Sequence, residues 1–202
     1  MAKLVLYDFP VSTHARKVRM VMAEKGIAYD RINVDLRAGE QKRPEYLKLN
    51  PHGHVPTLMV DGTPLYESTA IIEYLDETQP NPPMLPKEPL ARARARMIEE
   101  VVDSAFIGAL RMVRLNTQVR APEKRNAEEL AEGRAAIAWH NAWFDRELAG
   151  KEFFCSSQMT VADIAAFCDL AFQKIIGVEI DPGHRHLVEW LARMESRPSS
   201  KA

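Results

Sequence analysis

A turn, a hairpin and a helix start follow one another between Asn50 and Ile71, and this order constrains the fold more than any other feature. An Asn-Pro pair followed by glycine is typical of a turn. Two short runs rich in strand-forming residues, Thr57–Val60 and Thr63–Tyr66, flank Asp61-Gly62. Asp-Gly between two such runs is among the strongest short signals for a hairpin. The segment therefore predicts two antiparallel strands that lead directly into a helix.

Pro56 stands at the start of the first of these strands, where a missing N–H does least harm. A proline at a strand entry is a candidate for a cis peptide, which is scarce and usually a deliberate feature, and we predict that the Val55-Pro56 peptide is cis. A cis bond would point the Val55 backbone N–H and carbonyl outward, where they could pair with an extended peptide. Glu67 and Ser68 open the next helix, whose unpaired N–H groups and positive dipole end suit a carboxylate.

These parts, in this order, resemble the glutathione-binding half of the glutathione S-transferases. The resemblance implies that Val55 and Pro56 meet the cysteinyl part of glutathione and that Glu67 and Ser68 hold its γ-glutamyl end. Glutathione would be a co-substrate. An ordinary hairpin with a proline at a strand edge is the alternative interpretation of the same residues.

Composition indicates a globular protein with a sizeable core. The 202 residues are 46% hydrophobic, and 27 basic residues nearly balance 28 acidic ones. This balance excludes a strongly basic nucleic-acid surface. No apolar run reaches the length of a membrane span, and the start of the chain lacks a signal-peptide pattern. Cys155 and Cys168 are too few for a disulfide framework. We therefore expect a cytoplasmic protein that binds neither nucleic acid nor membrane.

The chain before residue 82 predicts a thioredoxin-like α/β domain over residues 1–82. Its pattern gives the order β-α-β-α-β-β-α, with Gly26 placed to end the first helix. The predicted strands before the hairpin span residues 3–7 and 28–34, and the predicted helices span 13–25, 43–49 and 67–77. Residues 79–86 are too proline-dense for a helix or central strand and predict a linker.

The rest of the chain, residues 87–202, predicts an all-helical domain. Helices are expected over residues 89–119, 125–148, 160–173 and 183–195. Thr160 and Asp163 form a capping-box pattern preceded by Met159, a hydrophobic staple. An α/β domain followed by an all-α domain again resembles the glutathione transferase fold, whose members have a buried capping box at this point. We expect Thr160 and Asp163 to be structural.

Ser12 is the candidate catalytic residue, at the junction of the first strand and first helix. A hydroxyl here can cap the helix by accepting a backbone N–H, or it can donate to an anion at the helix end. Its spacing from Tyr7 and Arg16 resembles the serine-type, theta-like bacterial transferases, in which the serine hydroxyl faces the glutathione sulfur. Thr13 is the rival hydroxyl. No cysteine precedes Cys155, which disfavours the cysteine-type relatives of the same fold.

The resemblance implies further contacts to glutathione. Gln41 and Lys42, predicted to start the second helix, and His54 would lie near the glycyl carboxylate. Relatives often carry Lys or Gln at the place of His54, so a neutral histidine is a departure that weakens the expected anion contact. Asp103 would reach the γ-glutamyl amine across a dimer interface, and we expect a homodimer. A solvated or salt-bridged surface is the alternative for Gln41, Lys42 and Asp103.

A metal site is not expected. The chain has two His-x-His pairs, at residues 52–54 and 184–186, but neither lies near a cysteine or has the spacing of a complete ligand set. The resemblance implies a glutathione transferase for detoxification, acting on small hydrophobic electrophiles. One alternative is a protein of the same fold that binds or regulates without turnover. Others are glutathione-dependent peroxidase, dehalogenase or isomerase activities.

Overall fold

A computed structural model of the chain describes residues 2–155 and 157–202. The chain forms two compact units. The first runs to Met84 and takes in Pro198–Ala202, and the second spans Leu85–Arg197. The domain boundaries expected from the sequence stay predictions. In the described part of the chain, no helix combines the length and the apolar character that crossing a membrane would need.

The first unit is built on a four-stranded mixed sheet in the order β2-β1-β3-β4. β2 pairs parallel to β1, whereas β3 pairs antiparallel to both β1 and β4. The strands are β1 (Leu4–Asp8), β2 (Asp30–Asn33), β3 (Thr57–Val60) and β4 (Thr63–Tyr66). The hairpin runs are confirmed, and the central strand β1 joins them to the parallel edge strand.

The Asp61-Gly62 turn has the geometry that the sequence predicts. Both residues have positive φ, 48° at Asp61 and 88° at Gly62. A two-residue hairpin with positive φ at both central positions matches the twist of its strands. The register that follows pairs Thr57 with Tyr66. The end of β4 therefore lies beside the start of β3.

Three helices complete the first unit: α1 (Thr13–Glu24), α2 (Pro44–Leu47) and α3 (Ser68–Thr78). α1 ends as expected at Gly26, which has φ +63°. The Gly26 N–H donates to Ala23 and the Ile27 N–H donates to Met22, which is the Schellman pattern. The predicted thioredoxin-like order of strands and helices is confirmed.

The prediction that Gln41 and Lys42 start the second helix is wrong. They lie in a separate 3-10 turn, Glu40–Lys42, and α2 begins at Pro44. Arg43 between them is extended, with ψ 146°. A residue that precedes proline is disfavoured in the α region, which ends the first turn and forces a new start.

The second unit is all helical among its described residues. Its helices are α4 (Pro89–Val101), α5 (Ile107–Arg114), α6 (Ala127–Leu148), α7 (Val161–Ile175) and α8 (Arg185–Glu195). The helix expected over residues 89–119 is present, but it is not uniform. π-helical turns at Val102–Phe106 and Leu115–Val119 flank α5.

The capping box at the start of α7 is confirmed. Asp163 is fully buried, and its carboxylate accepts hydrogen bonds from the Thr160 N–H at 2.9 Å and the Phe154 N–H at 3.0 Å. The Trp190 indole N–H donates to the same carboxylate at 3.0 Å. One carboxylate thus fixes α7, the preceding segment and α8, which is a structural role.

Candidate functional site

Ser12 caps α1. It has extended backbone, and its Oγ accepts a hydrogen bond from the Ala15 N–H at 3.3 Å. Its own N–H donates to the Phe9 carbonyl at 3.0 Å and closes the preceding loop. A serine hydroxyl has two acceptor lone pairs and one proton to donate. The cap uses an acceptor position, so it does not prevent Ser12 from donating to an anion.

Thr13 occupies the first helical position and is 8% exposed, whereas Ser12 is half-buried. A ligand that reaches the helix end therefore meets Ser12 more readily than Thr13. The assignment of the sulfur partner between these two hydroxyls stays a prediction.

The Val55-Pro56 peptide is cis, as predicted. Val55 is 7% exposed and belongs to a small apolar cluster with Val34 and Tyr46, against which Phe9 also packs. Among the described residues, no backbone hydrogen bond outside the helices and strands involves the Val55 N–H or carbonyl. Backbone groups that are this little exposed are nearly always paired. They therefore offer a donor and an acceptor to an extended ligand.

A buried polar network holds the loop that carries Val55, and the sequence reasoning missed it. The Tyr46 hydroxyl donates to the His54 carbonyl at 2.6 Å and lies 2.9 Å from the Thr57 hydroxyl. The Asn50 amide nitrogen also donates to the His54 carbonyl, at 2.9 Å. Burial raises the pKa of Tyr46, so its hydroxyl stays protonated as a donor.

Glu67 has an unusual backbone conformation at the start of α3. Its φ is 69° and its ψ is 115°. A glutamate rarely takes positive φ, and such conformations cost about 1–3 kcal/mol and cluster at functional sites. Glu67 is exposed, while Ser68 behind it is buried at the first helical position. The junction places a carboxylate and a hydroxyl at a helix end whose N–H groups lack intrahelical acceptors.

Lys42 lies against the loop before Val55. Its ammonium group donates to the His52 carbonyl at 3.2 Å. Gly53 is packed so closely that a Cβ there would lie 2.7 Å from the Gln41 carbonyl oxygen and 2.9 Å from Lys42 Nζ. The structure therefore brings Gln41 and Lys42 next to residues 52–54. The Gln41 side chain is half-buried, and its Oε1 has no hydrogen-bond partner among the described residues.

His54 and Asp103 are less constrained as site residues. The His54 residue is exposed and its carbonyl is held by the network described above. Asp103 lies in the second unit, half-buried in the π-helical turn Val102–Phe106. Their proposed contacts to glutathione stay predictions. Among residues 2–155 and 157–202, no group of three or more His, Cys, Asp or Glu side chains could hold a metal ion.

Comparison with known families covers most of the chain. Residues 6–83 match the N-terminal domain of glutathione S-transferase, and residues 101–198 match its C-terminal domain. The chain belongs to the glutathione S-transferase family. The fold expected from the sequence is therefore confirmed, whereas the type of sulfur site is not decided by family membership.

Relatives within the glutathione S-transferase family differ in name. The stringent starvation protein A homolog of Coxiella burnetii is 30% identical over 181 residues, which are 89% of this chain and 80% of that protein. The maleylacetoacetate isomerase of Pseudomonas aeruginosa is 46% identical over 100 residues, 48% of this chain and 47% of that protein. A theta class glutathione S-transferase from Xanthomonas axonopodis pv. citri, solved with glutathione bound, is 27% identical with a TM-score of 0.88. That comparison covers 100% of this chain and 96% of the solved chain.

Proposed function

We propose that this chain is a glutathione S-transferase that activates the glutathione thiol for attack on small, apolar electrophiles. The observation that carries the proposal is Ser12, whose hydroxyl caps α1 through a lone pair and keeps its proton for a second partner. The glutathione-bound theta class relative supports the choice of ligand. Ser12 is the proposed catalytic residue, which makes the site serine-type.

Glutathione would bind along the edge of the first unit. Its cysteinyl backbone would pair with the unpaired N–H and carbonyl of Val55, beside Pro56. Its γ-glutamyl end would meet Glu67 and the start of α3 at Ser68, where the helix end favours a carboxylate.

The two ends of the peptide would have further partners. The glycyl carboxylate would lie near Lys42, Gln41 and His54, of which Lys42 carries a fixed positive charge. Asp103 of a second copy would meet the γ-glutamyl amine, so we propose a homodimer. We also propose that the protein acts in the cytoplasm. A mass near 23 kDa by light scattering at micromolar concentration would contradict the dimer.

The chemistry needs a thiolate but no base on the protein. A free thiol has a pKa near 8.5, so only a few per cent is ionised at pH 7. Lowering that pKa by about two units requires roughly 2.7 kcal/mol of preference for the thiolate. One charge-assisted hydrogen bond from Ser12 and the dipole at the end of α1 together suffice for this preference.

The reaction follows from that ionisation. The thiol proton leaves to solvent, and the sulfur lone pair forms a bond to the electrophilic carbon. Where the acceptor carries a leaving group, that group departs with the electron pair of the broken bond. Conjugation of reactive apolar compounds in this way is a detoxification reaction.

A second candidate is a protein of this fold that binds or regulates without turnover. Similarity to the stringent starvation protein A homolog favours this candidate. The exposed residue His54, which stands where a stronger anion partner is expected, also agrees with a protein that binds without turnover. The isomerase relative makes an isomerase activity at the same peptide site a further alternative. Peroxidase and dehalogenase activities are alternatives at that site too. All of these activities except binding alone need the sulfur to be activated.

The test separates the two functions of the Ser12 hydroxyl. Ser12→Ala removes both the cap and the donor, whereas Ser12→Asp retains a capping oxygen and cannot donate. We expect Ser12→Ala to lose conjugation by roughly ten- to a hundredfold, since a charge-assisted hydrogen bond contributes about 1.5–3 kcal/mol. Ser12→Asp should lose at least as much, because its carboxylate also repels the thiolate. Only Ser12→Ala should lose about 1 kcal/mol of unfolding free energy. Retention on a glutathione resin should change little in Ser12→Ala.

Thr13→Ala and Thr78→Ala are the matched hydroxyl controls. The Thr78 hydroxyl donates to the Tyr74 carbonyl near the other end of α3 and should not matter. If Thr13→Ala loses conjugation while Ser12→Ala keeps full activity, the assignment of the catalytic hydroxyl to Ser12 is wrong and Thr13 takes its place. Absence of both glutathione binding and conjugation in the wild type would reject the transferase in favour of the regulatory protein.

A further inference from the structure

A buried ion cluster lies directly before the loop that carries Ser12. Asp8, the last residue of β1, is fully buried and its Oδ1 lies 2.6 Å from Arg19 Nη1. The other oxygen, Oδ2, lies 2.5 Å from Arg31 Nε. Arg19 is itself only 4% exposed. Charged groups that are buried this completely are nearly always paired, and here one carboxylate receives two guanidinium groups.

The second arm of the Arg19 guanidinium binds two backbone carbonyls. Its Nη2 donates to the Pro10 carbonyl at 3.1 Å and to the Ala202 carbonyl at 3.5 Å. Pro10 is in the middle of the loop between β1 and Ser12. A single planar group therefore connects the end of the strand to the loop that follows it.

The helix geometry explains how Arg19 reaches this loop. Arg19 stands seven residues after Ser12, two turns along α1 on the same face. Side chains on a helix lean toward its N-terminus, so a long side chain at this position extends back toward Ser12. An arginine can donate in two directions from a rigid fork, whereas a lysine presents a compact point charge.

Two further contacts hold the loop: the Phe9 side chain packs against the apolar cluster that contains Val34 and Val55, and one backbone hydrogen bond closes the loop. Residues 9–12 join β1 to α1, and the Ser12 N–H closes them onto the Phe9 carbonyl at 3.0 Å. The Pro10 carbonyl lies between these two groups and points to Arg19. Moving that carbonyl rotates the peptide unit that leads to Val11 and then displaces Ser12.

We propose that Arg19, oriented by Asp8, is a positioning residue that fixes the loop of residues 9–12 and thereby the location of the Ser12 hydroxyl. The functional half of this proposal rests on the proposed role of Ser12 toward the glutathione sulfur. Arg19 is buried, and the proposal gives it no contact with glutathione. It acts through the Pro10 carbonyl, and a displacement of about 1 Å at a reacting group can cost a hundredfold in rate.

A merely structural ion pair is the competing explanation, and the chain contains a matched one. Lys25, at the other end of α1, lies 2.7 Å from Asp76 Oδ1 and donates to the Gln79 and Pro82 carbonyls at 2.7 Å. Its side chain is fully buried. Lys25→Met therefore removes a buried cation with similar bonds and leaves the Ser12 loop untouched.

The experiment compares Arg19→Met, Arg19→Lys and Lys25→Met by two independent readouts. The first is hydrogen exchange of the Ser12 amide, whose bond to Phe9 protects it while the loop is closed. The second is the pKa of glutathione bound to each variant, measured by thiolate absorbance, together with kcat and KM. Thermal unfolding of each variant checks that the protein is folded at the temperature used.

We expect Ser12 amide exchange at least tenfold faster in Arg19→Met than in Lys25→Met. The pKa of bound glutathione should rise and kcat should fall about tenfold to a hundredfold, with the KM for glutathione within about twofold. Arg19→Lys, which retains the charge beside Asp8, should recover part of the kcat. A purely structural pair would give Arg19→Met and Lys25→Met the same exchange, pKa and kcat.

Equal Ser12 exchange in Arg19→Met and Lys25→Met overturns the proposal, whatever the activity. Faster exchange with an unchanged thiol pKa and kcat overturns its functional half. If the wild type does not bind glutathione, the proposed function fails. Faster Ser12 amide exchange in Arg19→Met would then still support the role of Arg19 in fixing the loop of residues 9–12. Should Arg19→Met not fold, the same comparison between Arg19→Lys and Lys25→Arg decides it.

Discussion

Tyr46→Phe tests whether the polar network behind Val55 holds the peptide-binding loop. Tyr46 is buried, and its hydroxyl bonds the His54 carbonyl at 2.6 Å and the Thr57 hydroxyl at 2.9 Å. Phenylalanine keeps the ring and its edge contact with Tyr7, at 6.0 Å between centroids. The substitution therefore isolates the hydroxyl.

The expected cost follows from the groups left behind. The His54 carbonyl keeps its bond from the Asn50 amide at 2.9 Å, so it is not orphaned. The Thr57 hydroxyl keeps only a 3.4 Å contact with the same amide. One poorly satisfied buried group costs about 1–2 kcal/mol of unfolding free energy. For a chain of this size we expect the melting temperature to fall by about 2–8 °C.

Burial of the Tyr46 hydroxyl also predicts a pH dependence. Burial raises its pKa, so the folded protein holds the proton at a pH where the unfolded chain, with a pKa near 10, releases it. The unfolded state then binds fewer protons than the folded state, and stability falls as pH rises above about 10. Tyr46→Phe should lose less stability over this range than the wild type.

Urea unfolding at neutral and alkaline pH, with glutathione titration calorimetry, measures these effects. The control is Tyr74→Phe, because the Tyr74 hydroxyl makes no hydrogen bond among the described residues. Glutathione affinity should fall in Tyr46→Phe and not in Tyr74→Phe. Equal midpoints for the two variants, together with unchanged affinity, would refute the idea that this hydroxyl orders the loop.

Gly133→Ala should destabilise by about 1–3 kcal/mol, because its Cβ would lie 2.9 Å from Met112 Cβ and 3.1 Å from the Ala109 carbonyl oxygen. Gly108→Ala, where nothing lies within 4 Å, should instead gain up to about 1 kcal/mol, and chemical denaturation compares the two. Cys155 should react slowly with iodoacetamide at pH 8, because burial raises its pKa to about 11. Its labelling rate should rise about tenfold per pH unit up to pH 10, and rapid labelling at pH 7 would contradict that pKa.

Elements with local signals could be predicted from the sequence. The Asp61-Gly62 pair predicted the hairpin, and Gly26 predicted the end of α1. The backbone at these positions has positive φ, and a turn or helix end that needs positive φ favours such residues. The capping box between Thr160 and Asp163 needs only three residues' separation. These features depend on short-range stereochemistry, which single residues report directly.

The π-helical turns beside α5 could not be predicted in this way. In both, side chains bond carbonyls four residues back: Ser104 to Glu100 at 2.6 Å and Asn116 to Met112 at 2.9 Å. Such local bonds can bend a helix but also occur in regular helices, so the residue types alone do not mark a π-helical turn. Apolar spacing alone indicates a helix and does not reveal where its register shifts.

The candidate site shows the same limit for polar residues. The Val55-Pro56 and Glu67-Ser68 pairs have recognisable order, so the sequence located them. Tyr46, a lone tyrosine in a short helix, has no signal of its own. Its role becomes visible only in the fold, where α2 brings Tyr46 next to the loop of residues 50–57. Hydrophobic periodicity along the sequence cannot predict this long-range contact.

Glu67 marks the point where local rules and the structure disagree most. Propensity predicts against a glutamate with φ 69° and ψ 115°, because this backbone is strained for any residue with a side chain. The fold imposes it at the junction between β4, whose register is fixed by the hairpin, and α3, whose first residue Ser68 is buried. Positions where a sound local rule fails are expected to be functional or strained sites. The strained backbone is thus an argument for Glu67 as a ligand residue that does not depend on resemblance to any family.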